Sequence, residues 1–516
     1  MCYAELVMYI KKSRAYIGGK TYEYLRLVQG VRVGSKIYHK VVAYLGRLDD
    51  PTSAAFFLFS KIPVDKSNLS AKLYALPMAC NLIIEKILIL PEILNRVFPP
   101  STPKHISLLV KLMILSRIIS PDSKLSLTRW YQHLYLPEKL PKSIDVHQFY
   151  TALDYLIASK TNIEQELFRR LVQEELIDTT VVFYDLTSSY FEGEDCEIAK
   201  FGHSLDRRSD CLQITIGLVI DKTGLPIFHE VFEGNMLDKK TVKGILTTLK
   251  ERFHFSRVLF VADKGMLSPD NVEALEQLEK DGITYILSQS QRTGYELIKP
   301  ALLQKETWTK LSDSLWYTKT EAGTILCYNP FTAKKATETR SRKLKTFSEY
   351  IPKELAKEHL GKRKQDKQTI HDRIIKKLNR SYMGKYFDSK NNFKKKDATI
   401  EKEELLDGVW VLTGNANLTP KETIEAYKQE AAIESSFRVI KDVVELRPIY
   451  HYNPNRVRAH VFICVLSYLV ARILERKTGQ TIKMLKEKYM TSVIINGDTP
   501  TSAKQIIGGS IPIKLD

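Results

Sequence analysis

Apolar and polar positions change period several times along the chain, and each change marks an expected element boundary. In residues 1–50, aromatic and β-branched residues alternate with polar ones, as in TYEYLRLVQGVRVGSKIYHKVVAYLG. A period of two predicts a small strand-rich module, with Gly30 and Gly34 as its turn residues. Residues 52–70 read as a linker. From 71 to 178 the spacing lengthens to three and four in HISLLVKLMILSRII, SLTRWYQHLYL and DVHQFYTALDYLIAS, with breaks at Pro99, Pro100, Pro121 and Pro141. This is a helical region.

The period shortens again at 180. TTVVFYDLTSSYF reads as a buried strand, and CLQITIGLVID and LPIFHEVFEGN as an antiparallel pair about a DKTG turn. KKTVKGILTTLKER is a helix, RVLFVAD a buried strand, PDNVEALEQLEKDG a helix closed by Gly282, and ITYILSQ a further strand. The order β-β-β-α-β-α-β is that of the ribonuclease H-like fold, three antiparallel strands followed by two parallel ones. The expected class is therefore α/β, with a mixed-sheet core over 179–290 and 406–476. Residues 291–405 are expected to leave the sheet as a basic insertion domain. GVWVLTGN then predicts a strand, and LTPKETIEAYKQEAAIESSFRVIKDVVEL one long helix. Thr419 suits its N-cap, Pro420 its first position, and Glu422 completes a capping box. Another helix spans about 455–476, and 477–516 form a peripheral tail.

Charge adds a partner to this picture. The 516 residues include 78 Lys or Arg against 60 Asp or Glu, a formal net charge of +18 with a sequence pI near 9.3. Residues 334–396 hold 21 Lys or Arg against 7 Asp or Glu, which is most of that excess. Such a balance points to a polyanion. Aromatic residues are sparse in the tract, so phosphate contact is expected rather than base readout, the alternative being a flexible solvated loop. The six cysteines form no CxxC pair, which argues against zinc ribbons and redox motifs and for buried thiols in a reducing compartment. The opening MCYAELVMYIKK has no signal-peptide h-region, and the apolar run Val461–Leu474 is short for a membrane span. A cytoplasmic protein without a membrane partner is expected.

Three acids carry the candidate chemistry. Asp185 stands inside a buried strand, where a carboxylate is costly without a compensating cation or donor. A hydrogen-bonded aspartate at a strand end is the plainer alternative. Asp263 ends RVLFVAD at the carboxyl edge of the sheet, where sites of open α/β sheets lie; the alternative is an N-cap. Glu434 shares a predicted helix with Tyr427, Glu430, Arg438 and Lys441, at spacings that place them on one face. A solvated face with i,i+4 ion pairs would use the same spacing. Taken together, two strand aspartates and a helix glutamate can hold two divalent ions about 4 Å apart, which suits phosphodiester chemistry. Magnesium needs few protein carboxylates, and Arg438 and Lys441 would hold phosphates beside it.

Several stretches resemble the DDE transposases of bacterial insertion sequences, within the insertion sequence 4 superfamily. YDLTSSYFEG is similar to the first-aspartate motif, with Asp185 and Thr187. Asp210 through QITIGLVIDKTGLPIFHEVFEGNMLD is similar to the strand hairpin that ends in G-N-x-x-D, here Gly234, Asn235 and Asp238. VADKGM resembles the second-aspartate motif at Asp263. AYKQEAAIESSFRVIKDVVELRPIYH resembles the glutamate helix, and NPNRVRAHVFICVLSYLV the helix after it. Tyr427, Glu434 and Lys441 fit the superfamily's spacing, while Glu430 stands where an arginine is expected. The N-terminal strand module resembles the start of one subgroup.

This resemblance implies metal-dependent strand cleavage and strand transfer at element ends, with Asp185, Asp263 and Glu434 as catalytic and metal-binding residues. It implies two Mg²⁺ or Mn²⁺ ions, terminal inverted repeats and target DNA as partners, a homodimer on DNA, and action at the nucleoid. Tyr427, Arg438 and Lys441 are expected at the DNA, as are Trp308 and Trp316 if they stack on an unstacked base rather than pack in a core. The helical region 71–178 is a candidate reader of the repeats, and His203 and His460 read as structural. Two other readings stay open: a non-catalytic DNA-binding derivative and a structure-specific nuclease.

Overall fold

A computed structural model describes the chain from residue 8 to residue 507, apart from residues 18–19, 34–35, 48–69, 192, 203–207, 209, 237, 254–257, 263–272, 274, 278, 281, 290–294, 322, 359–365, 430, 448, 491 and 497–504. Asp263, Glu430, His203, Cys2 and half of the residues of the helix expected over 269–282 lie outside the described residues. The chain divides into two compact units. One comprises Met1–Asp178, Leu186–Met236 and Ala432–Asp516, and the other Thr179–Asp185 and Leu237–Ala431.

In the first unit, Met8–Ile17, Lys20–Val33 and Lys36–Arg47 form an antiparallel three-stranded sheet. Gly30 is not a turn residue as expected. It lies within the second strand opposite His39, because the β-branched residues on either side continue the ladder.

The helical region follows as Ala75–Leu82, Leu90–Val97, Ile106–Ile119, Lys124–Trp130, Val146–Ala158 and Lys160–Gln173. Asp145 caps the fifth of these through a capping box with Gln148. Their apolar stripes close around Pro454–Thr478, a helix apolar on nearly every side. That helix is long and apolar enough to cross a membrane, yet it is buried among its neighbours, as a core helix is. Asn453 accepts hydrogen bonds from the backbone N–H groups of Asn455 and Arg456 at its start, and Gly479 ends it at φ 68°. The thiols of Cys80 and Cys464 pack here, and burial pushes that of Cys80 up to about 12.

This core also buries basic groups, and burial weakens their hold on a proton. His460 Nε2 meets the carbonyl of Leu446 at 3.0 Å, so the residue is structural, as expected. Burial, then Arg117 and Lys124, hold its pKa well below the ordinary histidine value. Burial and Lys160 lower His229, and burial brings His451 down to about 3 and Lys124 to about 7. A base whose folded pKa is depressed binds its proton more readily when unfolded, so stability is lost as pH falls through the unfolded value. The histidines place one such loss below about pH 6.5, at about 1.4 kcal/mol per pH unit for each group. Lys124 adds a loss between about pH 10.5 and 7. Urea midpoints should therefore fall steadily from pH 8 to pH 5; a flat profile would mean these groups are solvated.

The strand Val181–Tyr190 is common to both units, with the division after Asp185. In the second unit it pairs in parallel with Val258–Ala262, which pairs in parallel with Ile283–Gln289. In the first, its second half is followed by the antiparallel hairpin Gln213–Asp221 and Pro226–Glu233. A helix, Asp238–Glu251, joins the hairpin to the parallel strands. This is the ribonuclease H-like strand order.

Residues 291–405 do not leave the sheet at once, contrary to the sequence reading. Thr309–Ser312, Leu315–Lys319 and Ile325–Tyr328 extend it, joined through Val409–Gly414 to Ile283–Gln289. The strands are short, and LWYTK and ILCY pair apolar side chains against the cluster around Trp308 and Leu326. Two helices, Pro330–Leu355 and Lys367–Arg380, then carry the basic tract. They enclose a core of their own from Leu344, Phe347, Ile351, Ile370, Ile374 and Leu378. Most of the tract is thus an ordered helical body and not a loop.

Candidate active site

Asp185 sits at the centre of its strand and is half-buried between Tyr184 and Leu186, both in the core. Tyr184 is fixed by its hydroxyl, 2.8 Å from that of Thr241. In the parallel pairing, Val181 faces Leu259, Val182 faces Phe260 and Phe183 faces Val261. Partners are thus 78 residues apart throughout, and the same offset separates Asp185 from Asp263. Asp263 itself follows directly on Ala262, the last residue of its strand, and lies outside the described residues.

Glu434 lies in the first turn of Ala431–Asp442. The sequence reading of one long helix from 420 is corrected here. Pro420–Lys428 ends at Gln429, whose N–H turns back to the carbonyls of Ala426 and Tyr427, and a second helix starts at Ala431. The expected cap at the start is present, with Thr419 and Glu422 exchanging bonds. The break separates Tyr427 from Glu434, so the two share no helix face. Tyr427 instead stacks on Trp410, ring centroids 5.5 Å apart.

Glu434 and Arg438 are exposed and Lys441 is half-buried, one and two turns along the same helix. Ile433, Ser436, Phe437 and Ile440 bury its other side. Among the described residues no ion pair joins Glu434 to Arg438. The helix is held rigidly from behind. The Tyr468 hydroxyl lies 2.6 Å from Ser436 Oγ and 2.6 Å from the Gly224 carbonyl, and Arg472 donates to the Thr223 carbonyl at 3.0 Å.

That support was not read from the sequence. Its anchor is Asp221, fully buried at the DKTG turn, whose carboxylate accepts from the backbone N–H groups of Asp178, Thr223 and Leu225 and from the Thr223 hydroxyl. The Asp-Lys-Thr-Gly turn was the visible signal; Tyr468 and Ser436 have none beyond apolar spacing. Gly234, in the G-N-x-x-D stretch, is required by close packing, since a Cβ there would stand 1.9 Å from the Gln213 carbonyl oxygen.

The two tryptophans differ. Trp308 is buried in the cluster beside Leu326, and its indole N–H donates to the Ala301 carbonyl at 3.0 Å. It is a packing residue with no face left for a base, which corrects the DNA-contact expectation. Trp316 is half-buried on the neighbouring strand.

Among the described residues no three His, Cys, Asp or Glu side chains form a metal-binding group. The expected set of Asp185, Asp263 and Glu434 includes one residue outside the description, and its donors are all carboxylate oxygens, which suits a hard divalent ion.

The family model for the transposase DDE domain matches residues 178–470, more than half of the chain. The model for the N-terminal domain of IS1634 family transposases matches residues 10–58. No curated protein matches. Among solved structures, the chain is similar to a piggyBac transposase in a synaptic complex with hairpin DNA. The identity is 9%, the match covers 81% of this chain and 80% of that one, and the TM-score is 0.39.

Proposed function

Since the chain belongs to the DDE-domain transposases of bacterial insertion sequences, we propose that it cleaves and rejoins DNA at the ends of its own element. The observation that supports this most is the shared register of the strands that lead to Asp185 and Asp263. Carried two residues past the last described pair, that offset would set the two carboxylates on neighbouring strands, in apolar surroundings. Such a pair is costly unless a cation is shared.

In this reading Asp185, Asp263 and Glu434 hold two Mg²⁺ or Mn²⁺ ions. When bound, such ions would supply activation of a nucleophile and stabilisation of the leaving oxygen. The protein's own residues do the rest. Arg438 and Lys441 bind phosphates on either side of the scissile bond, so that water, and later the freed 3′-hydroxyl, meets phosphorus in line. The anchored rear face of Ala431–Asp442 fixes that geometry. Partners are the terminal inverted repeats and target DNA, bound by a homodimer in the cytoplasm at the nucleoid. Tyr427 and Trp316 lie at the DNA.

The test is metal removal. Duplexes carrying the native element ends should be cut with Mg²⁺ or Mn²⁺ and left intact in EDTA, with end binding preserved. Cleavage that persists in EDTA would overturn the reading.

A further inference from the structure

The DKTG turn behind the glutamate helix is built more firmly than a hairpin turn needs to be. Turns ordinarily run over the surface and tolerate change. Here Asp221 is fully buried, and its carboxylate accepts from the Asp178, Thr223 and Leu225 N–H groups and from the Thr223 hydroxyl. The core helix Pro454–Thr478 then grips the turn with Tyr468, Arg472 and Arg476, whose four-residue spacing puts them on one face. Tyr468 donates to the Gly224 carbonyl at 2.6 Å, Arg472 to the Thr223 carbonyl at 3.0 Å and Arg476 to the Thr223 hydroxyl at 3.3 Å. All of these residues belong to the first unit.

This grip reaches Glu434 through one hydroxyl. The Tyr468 oxygen also lies 2.6 Å from Ser436 Oγ, and both residues are buried. Burial pushes the Tyr468 phenol up to about 12, so the hydroxyl keeps its proton at any working pH. Ser436 follows Glu434 by two residues, about 200° around the helix, so Ser436 faces the core while Glu434 is exposed. Ile433, Phe437 and Ile440 set how deeply the helix sits, but apolar contact is non-directional and fixes its rotation weakly. A hydrogen bond is directional, and this one is made in the turn of helix that carries Glu434.

We infer that Tyr468 is a positioning residue for metal binding: tied to the Asp221 turn, its hydroxyl fixes through Ser436 the direction in which Glu434 presents its carboxylate. The inference rests on the reading of Glu434 as a metal ligand and adds the residue that decides how tightly, and for which ion, that ligand holds. Mg²⁺ demands near-octahedral geometry, so a carboxylate free to swing holds it less well. Ca²⁺ accepts flexible geometry and loses little.

The test titrates Mg²⁺ and Ca²⁺ calorimetrically into the full chain on pre-cut element ends, with the heat of the DNA alone subtracted. Tyr468→Phe should weaken Mg²⁺ about tenfold, the scale of one lost buried hydrogen bond, and Ca²⁺ by less than about threefold. End binding in EDTA should not change. Ser436→Ala should behave alike, and adding it to Tyr468→Phe should cost little more, since both remove one interaction. Ile463→Val trims the same core helix at a fully buried position; it should lower the thermal midpoint and leave both metals alone. Unchanged Mg²⁺ affinity in Tyr468→Phe would overturn the inference. So would equal losses of Mg²⁺ and Ca²⁺, or an equal loss of Mg²⁺ in Ile463→Val, either of which would make Tyr468 a packing residue only. Glu434→Gln separates the underlying reading: it should weaken Mg²⁺ far more than Tyr468→Phe does. Normal Mg²⁺ binding by Glu434→Gln would overturn that reading and the inference together, whereas its loss beside a silent Tyr468→Phe would overturn the inference alone.

Discussion

Asp185→Asn should lower single-turnover cleavage of element ends by about a thousandfold or more while leaving folding and end binding nearly intact. The amide keeps the shape of the side chain but carries no charge. Holding a divalent ion against a developing oxyanion contributes several kcal/mol, and about 1.4 kcal/mol corresponds to each tenfold in rate. Asp185 is half-buried in a strand whose neighbours are core, so removing its charge relieves a desolvation cost. Urea midpoints should therefore be unchanged or slightly raised, and Asp263→Asn should behave alike. Gel-shift titration beside cleavage of pre-bound ends checks this. Parallel loss of binding and cleavage would make the aspartates structural.

The second large effect concerns the glutamate helix. Lys441 stands two turns from Glu434, on a helix fixed from behind by Tyr468 and Ser436. In the proposed reading a cation there positions the scissile strand, and misplacing a reacting group by about 1 Å costs on the order of a hundredfold in rate. Lys441→Ala should accordingly reduce cleavage of pre-bound ends about a hundredfold with little loss of affinity. Substitutions in the basic tract should do the opposite, weakening binding to any DNA by about 0.9 log-log salt-slope units per lost phosphate contact. Normal cleavage by bound Lys441→Ala would mean the face is only solvated.

The core strands were legible because buried strands are written in β-branched and aromatic residues. Val181–Tyr190, the Gln213–Glu233 hairpin and Ile283–Gln289 follow that pattern. So was the start of the helix at Thr419, where the capping box is a local chemical signal. Its end was not. KQEAAIESS contains neither glycine nor proline, and the turn at Gln429 comes from a tightened last carbonyl pairing that no single residue announces.

Charge density hid a core in the same way. Leu344, Phe347 and Ile351, and Ile370, Ile374 and Leu378, recur at helical spacing, but they are diluted by lysines that make the segment look solvated. The Trp308 ambiguity is of another kind: burial of a tryptophan depends on partners distant in sequence, here Leu326 and Leu406. Of the elements that carry the candidate site, the strand bearing Asp185 and the helical character around Glu434 were readable. The buttress of Asp221, Tyr468 and Ser436 was not, since its members meet only through the fold.

Whether Asp185, Asp263 and Glu434 share metal ions can be measured directly by replacing magnesium with Fe²⁺ in the full-length protein bound to its element ends. Added ascorbate and peroxide then generate hydroxyl radicals at the metal, which cut the polypeptide nearby. The account predicts backbone cuts clustered near residues 185, 263 and 434, competed away by Mg²⁺ and absent in Asp263→Asn. Cuts near the aspartates with none near residue 434, or cuts unaffected by Asp263→Asn, would contradict it.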